Sequence, residues 1–333
     1  MRPDASRHPV CSAGDSGVIT SAPAKFILLG EHAVVYGFPA IAAPLNGLCA
    51  HASVHPAPVG AGLRIEALDM NEVLPVELEA DAVDNALALT AQKVLKALNV
   101  APPDAVIRVT SHIPMASGLG SGAAVSTAVA RAVINAVDAD IDDDALNDII
   151  YDIEKLYHGT PSGVDNTVVV YQKPVYFLRG QPPQLLDIGG ALHFIIADTG
   201  EPSLTKVTVA DVRRLYDEQP HVVGNTLADI GAIVERARDA IRNGDAVALG
   251  SLMTANHHSL RALNVSSDAL ERLVDAAIDC GALGAKLSGG GRGGHMIALV
   301  APDTIEAVSA ALSSAGAVHI VHTQLGADHD HNP

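Results

Sequence analysis

The stretch Ile113-Pro114-Met115-Ala116-Ser117-Gly118-Leu119-Gly120-Ser121-Gly122-Ala123-Ala124 decides how this chain folds. It follows Ala105–Thr110, an apolar run of strand character, and opens Ala123–Val137, whose pattern predicts a helix. Glycines after a strand let backbone N–H groups converge on an anion without side-chain obstruction. The helix that follows adds its unpaired N–H groups and the positive end of its dipole. Ser117 and Ser121 bring hydroxyls able to donate to phosphate or to bind a metal. The P-loop pattern is absent, because no Lys-Ser or Lys-Thr pair closes the run. The dinucleotide fingerprint is absent too, since the glycine spacing differs and no suitable acidic residue follows a second strand. Taken alone, the same residues also suit a close-packed turn entering an Ala-rich helix.

Outward from this loop the period of the apolar residues changes several times. Val18–Leu29 reads as a strand broken near Pro23, followed by a turn at Gly30-Glu31-His32. Residues 40–79 alternate apolar and polar positions between Gly and Pro, which predicts antiparallel strands. Asp84–Val100 carries an apolar stripe at helical spacing, ended by Ala101-Pro102-Pro103. Leu146–Tyr157 reads as a helix and His158–Gly163 as a turn. Gln181-Pro182-Pro183 reads as a linker between two lobes. Beyond it come a strand at Phe194–Ala197, helices over 205–219, 224–243, 245–261 and 267–280, and a final strand at His295–Val300. The expectation is an α+β chain in four parts: a disordered leader 1–17, lobes at 18–180 and 181–327, and a flexible tail 328–333. The His and Asp residues of that tail suit weak metal binding or plain fraying.

The bulk composition narrows the partners. The 333 residues carry a formal charge of −17, which argues against nucleic acid and anionic membrane. Lysine is scarce, and with excess Asp and Glu and many small apolar residues this suggests adaptation to high salt. An ordinary acidic cytosolic enzyme has the same signature. Cys11, Cys49 and Cys280 are too widely spaced for a metal or disulfide framework, and a reducing cytoplasm is the natural setting. No apolar run approaches the roughly 20 residues that a membrane span needs.

Three further segments carry chemistry-bearing residues. The first, Ala22-Pro23-Ala24-Lys25 through Gly30-Glu31-His32-Ala33-Val34-Val35-Tyr36-Gly37, places a lone lysine before an apolar strand and a Glu-His pair at its exit. The second runs from Glu154 through Tyr157-His158-Gly159-Thr160-Pro161-Ser162-Gly163-Val164-Asp165-Asn166. The third is Lys286-Leu287-Ser288-Gly289-Gly290-Gly291-Arg292-Gly293-Gly294-His295, whose glycines are costly to order in a plain hairpin. With Pro114-x-x-x-Gly118-Leu119-Gly120-Ser121, these segments resemble, in the same order, the motifs of the GHMP kinases. That family joins galactokinase, homoserine kinase, mevalonate kinase and phosphomevalonate kinase. The wording of the first and second segments is similar to the mevalonate kinases within it. The resemblance covers nearly the whole chain from about residue 19.

What the resemblance implies is specific. The fold would be two-lobed, with a first lobe like the second domain of ribosomal protein S5 and a ferredoxin-like second lobe. The reaction would be Mg²⁺- and ATP-dependent phosphorylation of an alcohol, with mevalonate and its 5-hydroxyl as acceptor. Residues 114–124 would hold the ATP phosphates. Asp165 would be the general base and Lys25 its ion-pair partner, which also stabilises charge on the phosphoryl group. Glu154, with Ser121, would bind the metal. Glu31, His32 and Thr205 would lie toward the acceptor, Thr205 within the segment Asp198–Lys206. Glu154 and His158 share metal-ligand spacing, but a Mg²⁺ enzyme assigns His158 to structure or substrate. Mevalonate kinases usually carry a second serine after Ser121; here Gly122 has no hydroxyl, which opens the question of the second protein ligand. Arg292 departs from the all-small version of its loop and points to the phosphates or to solvent. A homodimer is left open. The rivals are another GHMP kinase, acting on a sugar, homoserine or phosphomevalonate, and an inactive relative that binds a metabolite.

Overall fold

A computed structural model describes residues 18–78, 85–114, 117–158, 161–203 and 205–326, the side chains of residues 157 and 158 excepted. The expected leader 1–17, the tail 328–333, Met115 and Ala116, and the middle of the turn at 159–160 lie outside the described residues.

The first lobe is built on one long strand. β1 (Ile19–Leu29) pairs antiparallel with β2 (Ala40–Pro56), and β2 also pairs with strands on its other edge. In chain order come β3 (Leu63–Ala67), β4 (Glu72–Pro75), helix α1 (Ala86–Leu98) and β5 (Ala105–Ser111). Helices α2 (Ser121–Ala136), α3 (Asp143–His158) and α4 (Val164–Tyr171) follow, then β6 (Val175–Phe177) and β7 (Gln184–Leu185). The sheet runs β4-β3-β5-β2-β6-β7 with β1 laid on β2. Pro23 does not break β1. It falls at a register shift between Pro23 and Ala24, where the missing N–H is absorbed by an irregularity in the ladder. Asn85 opens α1 by accepting from the amides of Leu87 and Ala88, and Asn99 closes it in the left-handed region.

The second lobe starts with β8 (Leu192–Asp198) and continues through α5 (Thr205–Glu218), α6 (Pro220–Asn243), α7 (Ala246–Ala262) and α8 (Asp268–Asp279). It ends with β9 (Gly284–Ser288), β10 (His295–Val300), α9 (Ile305–Ser314) and β11 (His319–Leu325). Its antiparallel sheet runs β11-β8-β10-β9, so the last strand lies beside the first, which is the ferredoxin-like arrangement. Pro220 at the first position of α6 starts that helix earlier than its apolar stripe suggests.

The lobes share a core. Phe26 of β1 meets Phe194 of β8 with ring centroids 5.6 Å apart, inside one buried cluster that draws on both sheets. Because β7 still pairs with β6, the chain crosses to the second sheet between Leu185 and Leu192. Among the described residues, no helix is long and apolar enough to cross a membrane.

Candidate active site

Lys25 sits in the middle of β1, its backbone N–H donating to the Leu119 carbonyl at 2.9 Å, so the glycine loop runs directly alongside the strand. A side chain at Gly120 would put its Cβ 2.8 Å from Lys25 Cγ. Gly120 also holds φ +73°, a conformation that L-residues rarely adopt. The loop therefore needs glycine here for its turn and for the room the lysine stem occupies. Held against that loop, Lys25 is buried, and its Nζ lies 3.1 Å from Asp165 Oδ1.

Asp165 stands in the first turn of α4, behind Gly163, which enters the helix with φ +85°. A carboxylate there faces the positive end of the helix dipole. Glu154 reaches the same place from α3 and is almost fully buried. Burial raises its carboxyl to a pKa of about 7, the charge of Asp165 adds to the rise, and Lys25 partly offsets it. Lys25, Glu154 and Asp165, which lie far apart in sequence, thus share one electrostatic neighbourhood.

The glycine loop leads into α2 with no side chain capping its N-terminus, which leaves the first amides of the helix available to an anion. Ser117 turns its hydroxyl inward to the Pro114 carbonyl at 2.7 Å. Ser121 and Gly122 form the first turn of α2. A cavity of about 380 Å³ opens beside Ser121 and Pro114, walled by Leu87, Val109 and Val125 with Asp69 and Ser111 among its polar groups.

The second glycine loop closes on the first from the other lobe. Gly290 lies so near Thr205 that a Cβ would come 2.5 Å from its Oγ1, and Ser203 Oγ donates to the Gly291 carbonyl at 3.2 Å. Ser288 Oγ donates to the Ile27 carbonyl of β1 at 2.8 Å, tying the lobes together. Thr205, exposed at the start of α5, shares the narrow cleft between the loops with Ser117, Gly118 and Ser288. His32 is buried with Nε2 3.0 Å from the Gly290 carbonyl, and its Nδ1 has no partner among the described residues. Burial lowers its pKa, so the ring is a neutral imidazole with a free lone pair.

Two expected residues, Glu31 and Arg292, stand differently from the cleft. Glu31 is buried, and its two oxygens accept from Lys286 Nζ and, at 3.2 Å, from Asn256 Nδ2. Arg292 points to neither a phosphate site nor open solvent. Its Nη1 pairs with Asp211 and its Nε donates to the Asn264 carbonyl within the second lobe. His257 is a core residue: it accepts from the Leu287 amide at 3.3 Å and faces Glu271.

The structure adds one residue that no motif marked, Arg179. A cavity of about 650 Å³ flanks the segment that carries Asp165, lined by Ser162, Gly163, Asn166, Val34 and Tyr151. Arg179 is its one cationic lining residue among those described. A lone arginine in the turn after a short strand gives no sequence signal. Lys286 stands at the head of the third motif segment, and the structure buries it completely.

Residues 85–173 match the family model "GHMP kinases N terminal domain" and residues 237–318 match "GHMP kinases C terminal". The mevalonate kinase of Thermococcus sibiricus is 36% identical over 321 residues, covering 91% of this chain and 95% of that one. The crystal structure of L. major mevalonate kinase in complex with R-mevalonate superposes with a TM-score of 0.76 at 28% identity, covering 96% of this chain and 99% of that one. The Methanococcus jannaschii mevalonate kinase shares the fold, with a TM-score of 0.78 at 24% identity over 93% of this chain and 98% of its own.

Proposed function

The chain belongs to the mevalonate kinase branch of the GHMP kinases, and from that premise we propose that it phosphorylates the 5-hydroxyl of mevalonate with Mg-ATP. The observation that carries the assignment is the 3.1 Å Lys25–Asp165 pair beside the buried Glu154, at the foot of a glycine loop that opens a helix.

In this reading residues 18–180 form the ATP-binding lobe and 181–327 the second, with β7 still bonded to the first-lobe sheet. The amides of residues 114–124 and the N-terminus of α2 bind the phosphates, and the 380 Å³ cavity beside Ser121 takes the adenine. Asp165 accepts the proton of the acceptor hydroxyl. Lys25 keeps that carboxylate oriented and places its ammonium where charge grows on the transferred group. The acceptor lies between His32, Thr205 and the segment before Asp165. The free Nδ1 of His32 accepts from a substrate hydroxyl, and Arg179 suits the substrate carboxylate.

The residues also fit a magnesium ion. Glu154 is a hard oxygen donor whose burial first, and the charge of Asp165 second, raise its pKa, so a cation beside it would be favourable. Among the described residues no group of three or more His, Cys, Asp or Glu side chains could hold a metal by itself. That suits Mg²⁺, which takes few protein ligands and completes its shell with water and phosphate oxygens. Glu154 and the Ser121 hydroxyl would hold it, Gly122 offering none, and the bound ion would neutralise phosphate charge. Free Cys49 and Cys280 support a reducing, cytoplasmic setting.

The test is ADP release by the purified protein with ATP, Mg²⁺ and mevalonate across a range of KCl. Galactose, homoserine and phosphomevalonate compete at equal concentration. Phosphorylation of one of these in place of mevalonate would overturn the acceptor, and nucleotide binding without any turnover would overturn the reaction.

A further inference from the structure

His32 sits at the centre of a γ-turn of the strained hand. Its φ is 61° and its ψ −44°, and the Ala33 amide donates across it to the Glu31 carbonyl at 2.6 Å. A histidine keeps such a conformation only where its surroundings over-determine it. Here the surroundings belong to the other lobe. Lys286 of β9 and Asn256 of α7 hold the Glu31 carboxylate, and the Gly290 carbonyl meets the His32 ring.

Lys286 itself has no contact with solvent, and burial lowers its pKa against the pull of Glu31. An ammonium buried so completely must be paired, which makes Glu31 its obligate partner. Its remaining reach goes to the Leu287 carbonyl at 2.5 Å. The Leu287 amide is in turn fixed on His257, whose ring faces Glu271 at 3.2 Å, and Glu271 is held by Arg261. The lysine is therefore anchored from its own lobe, and the Glu31–His32 turn is the part that it constrains.

We propose that Lys286 is a positioning residue, acting through Glu31 to hold the strained His32 turn against Gly290 and so to aim the imidazole at the acceptor. Glu31, with both oxygens engaged inside the protein, serves the substrate through its neighbour. The direction in which His32 points rests on the mevalonate kinase reading; the clamp on the turn does not.

Lys286→Met alone strands a buried carboxylate, so the deciding variant is Glu31→Gln with Lys286→Met, which removes both charges and keeps an amide for Asn256. Three quantities are read: the melting temperature, the ring nitrogen NMR shifts of His32 (assigned with His32→Gln), and KM for each substrate beside kcat. The double variant should melt within about 5 °C of the parent. Its His32 ring shifts should move, and kcat/KM for the acceptor should drop about 10-fold or more, through KM, with KM for ATP unchanged. Unmoved His32 shifts, or unchanged acceptor KM, overturn the proposal. Should the double variant not fold, Asn256→Ala loosens Glu31 from the same side and must move the same shifts; unmoved shifts overturn it again. If the parent leaves mevalonate untouched, the functional reading fails while the His32 shifts still decide the clamp.

Discussion

Gly120→Ala is the sharpest single perturbation of this site. Two separable penalties follow from the geometry. The φ of +73° costs an alanine about 1 kcal/mol. The new Cβ would also stand 2.8 Å from Lys25 Cγ and 3.4 Å from its Cε, so the stem must move by roughly 0.6 Å or more to reach ordinary contact, at about 1–3 kcal/mol. The lysine is buried, and the displacement passes along its stem to the ammonium 3.1 Å from Asp165. A shift of that order at a reacting centre lowers kcat by about 10- to 100-fold. The comparison is Gly118→Ala, where φ is +76° but nothing lies within 4 Å of the added Cβ, so only the conformational penalty applies. The decisive assay is a thermal double-mutant cycle. In a Lys25→Ala background the stem is gone, and Gly120→Ala should cost only the ~1 kcal/mol of its backbone, leaving a coupling energy of about 1–3 kcal/mol. Equal destabilisation by Gly120→Ala in both backgrounds would refute the reasoning, because the clash with Lys25 would then not exist.

Asp165→Asn should fold normally and lose about 10²- to 10⁴-fold in kcat, with KM for ATP little changed; full turnover would remove Asp165 from the proton transfer. Glu154 gives a pH signature in the metal-free protein. Its folded pKa of about 7 lies above the ordinary 4.5, so the native state binds more protons than the unfolded chain between those values, and stability falls as pH rises through that window. Glu154→Gln should therefore melt like the parent near pH 4.5 and be more stable by about 1–3 kcal/mol at pH 8 in EDTA, allowing for partial screening. A difference independent of pH would show that burial does not raise the Glu154 carboxyl. Arg179→Leu should raise KM for a carboxylate acceptor by about 10-fold or more while KM for ATP stays put, as the loss of one charge-assisted contact predicts; an unchanged acceptor KM would clear Arg179 of that role.

The elements legible in the sequence were those with a strong period or an explicit cap. The apolar stripe at 86–98, ended by two prolines, and the stripes of α7 and α8 came through within a few residues. What escaped had a conflicting or weak local signal. α4 is eight residues long and rich in β-branched valine, which leaves it without a clear helical signal, and it forms because its valines are buried on nearly every side. α9 and β11 escaped too, and β11 takes its place from pairing with β8. Pro23 reads as a break, yet the ladder only shifts its register there.

For the site the division is as clear. The sequence by itself determined the parts: a glycine loop before a helix, a lone lysine in a strand, a carboxylate on a helix and another after a Pro-Ser-Gly turn. Residue type and spacing decide those, because only glycine leaves amides open to phosphate and only a charged group can pair or transfer a proton. The tertiary structure alone decided which parts meet and what each spends its charge on. It brought Lys25 to Asp165 across 140 residues of chain and raised the pKa of Glu154 by burying it. It also gave the Glu31 carboxylate to Lys286 and Asn256, and turned Arg292 to Asp211. Charge pairing and desolvation depend on distance in space, and distance in space between residues this far apart is a property of the packed lobes.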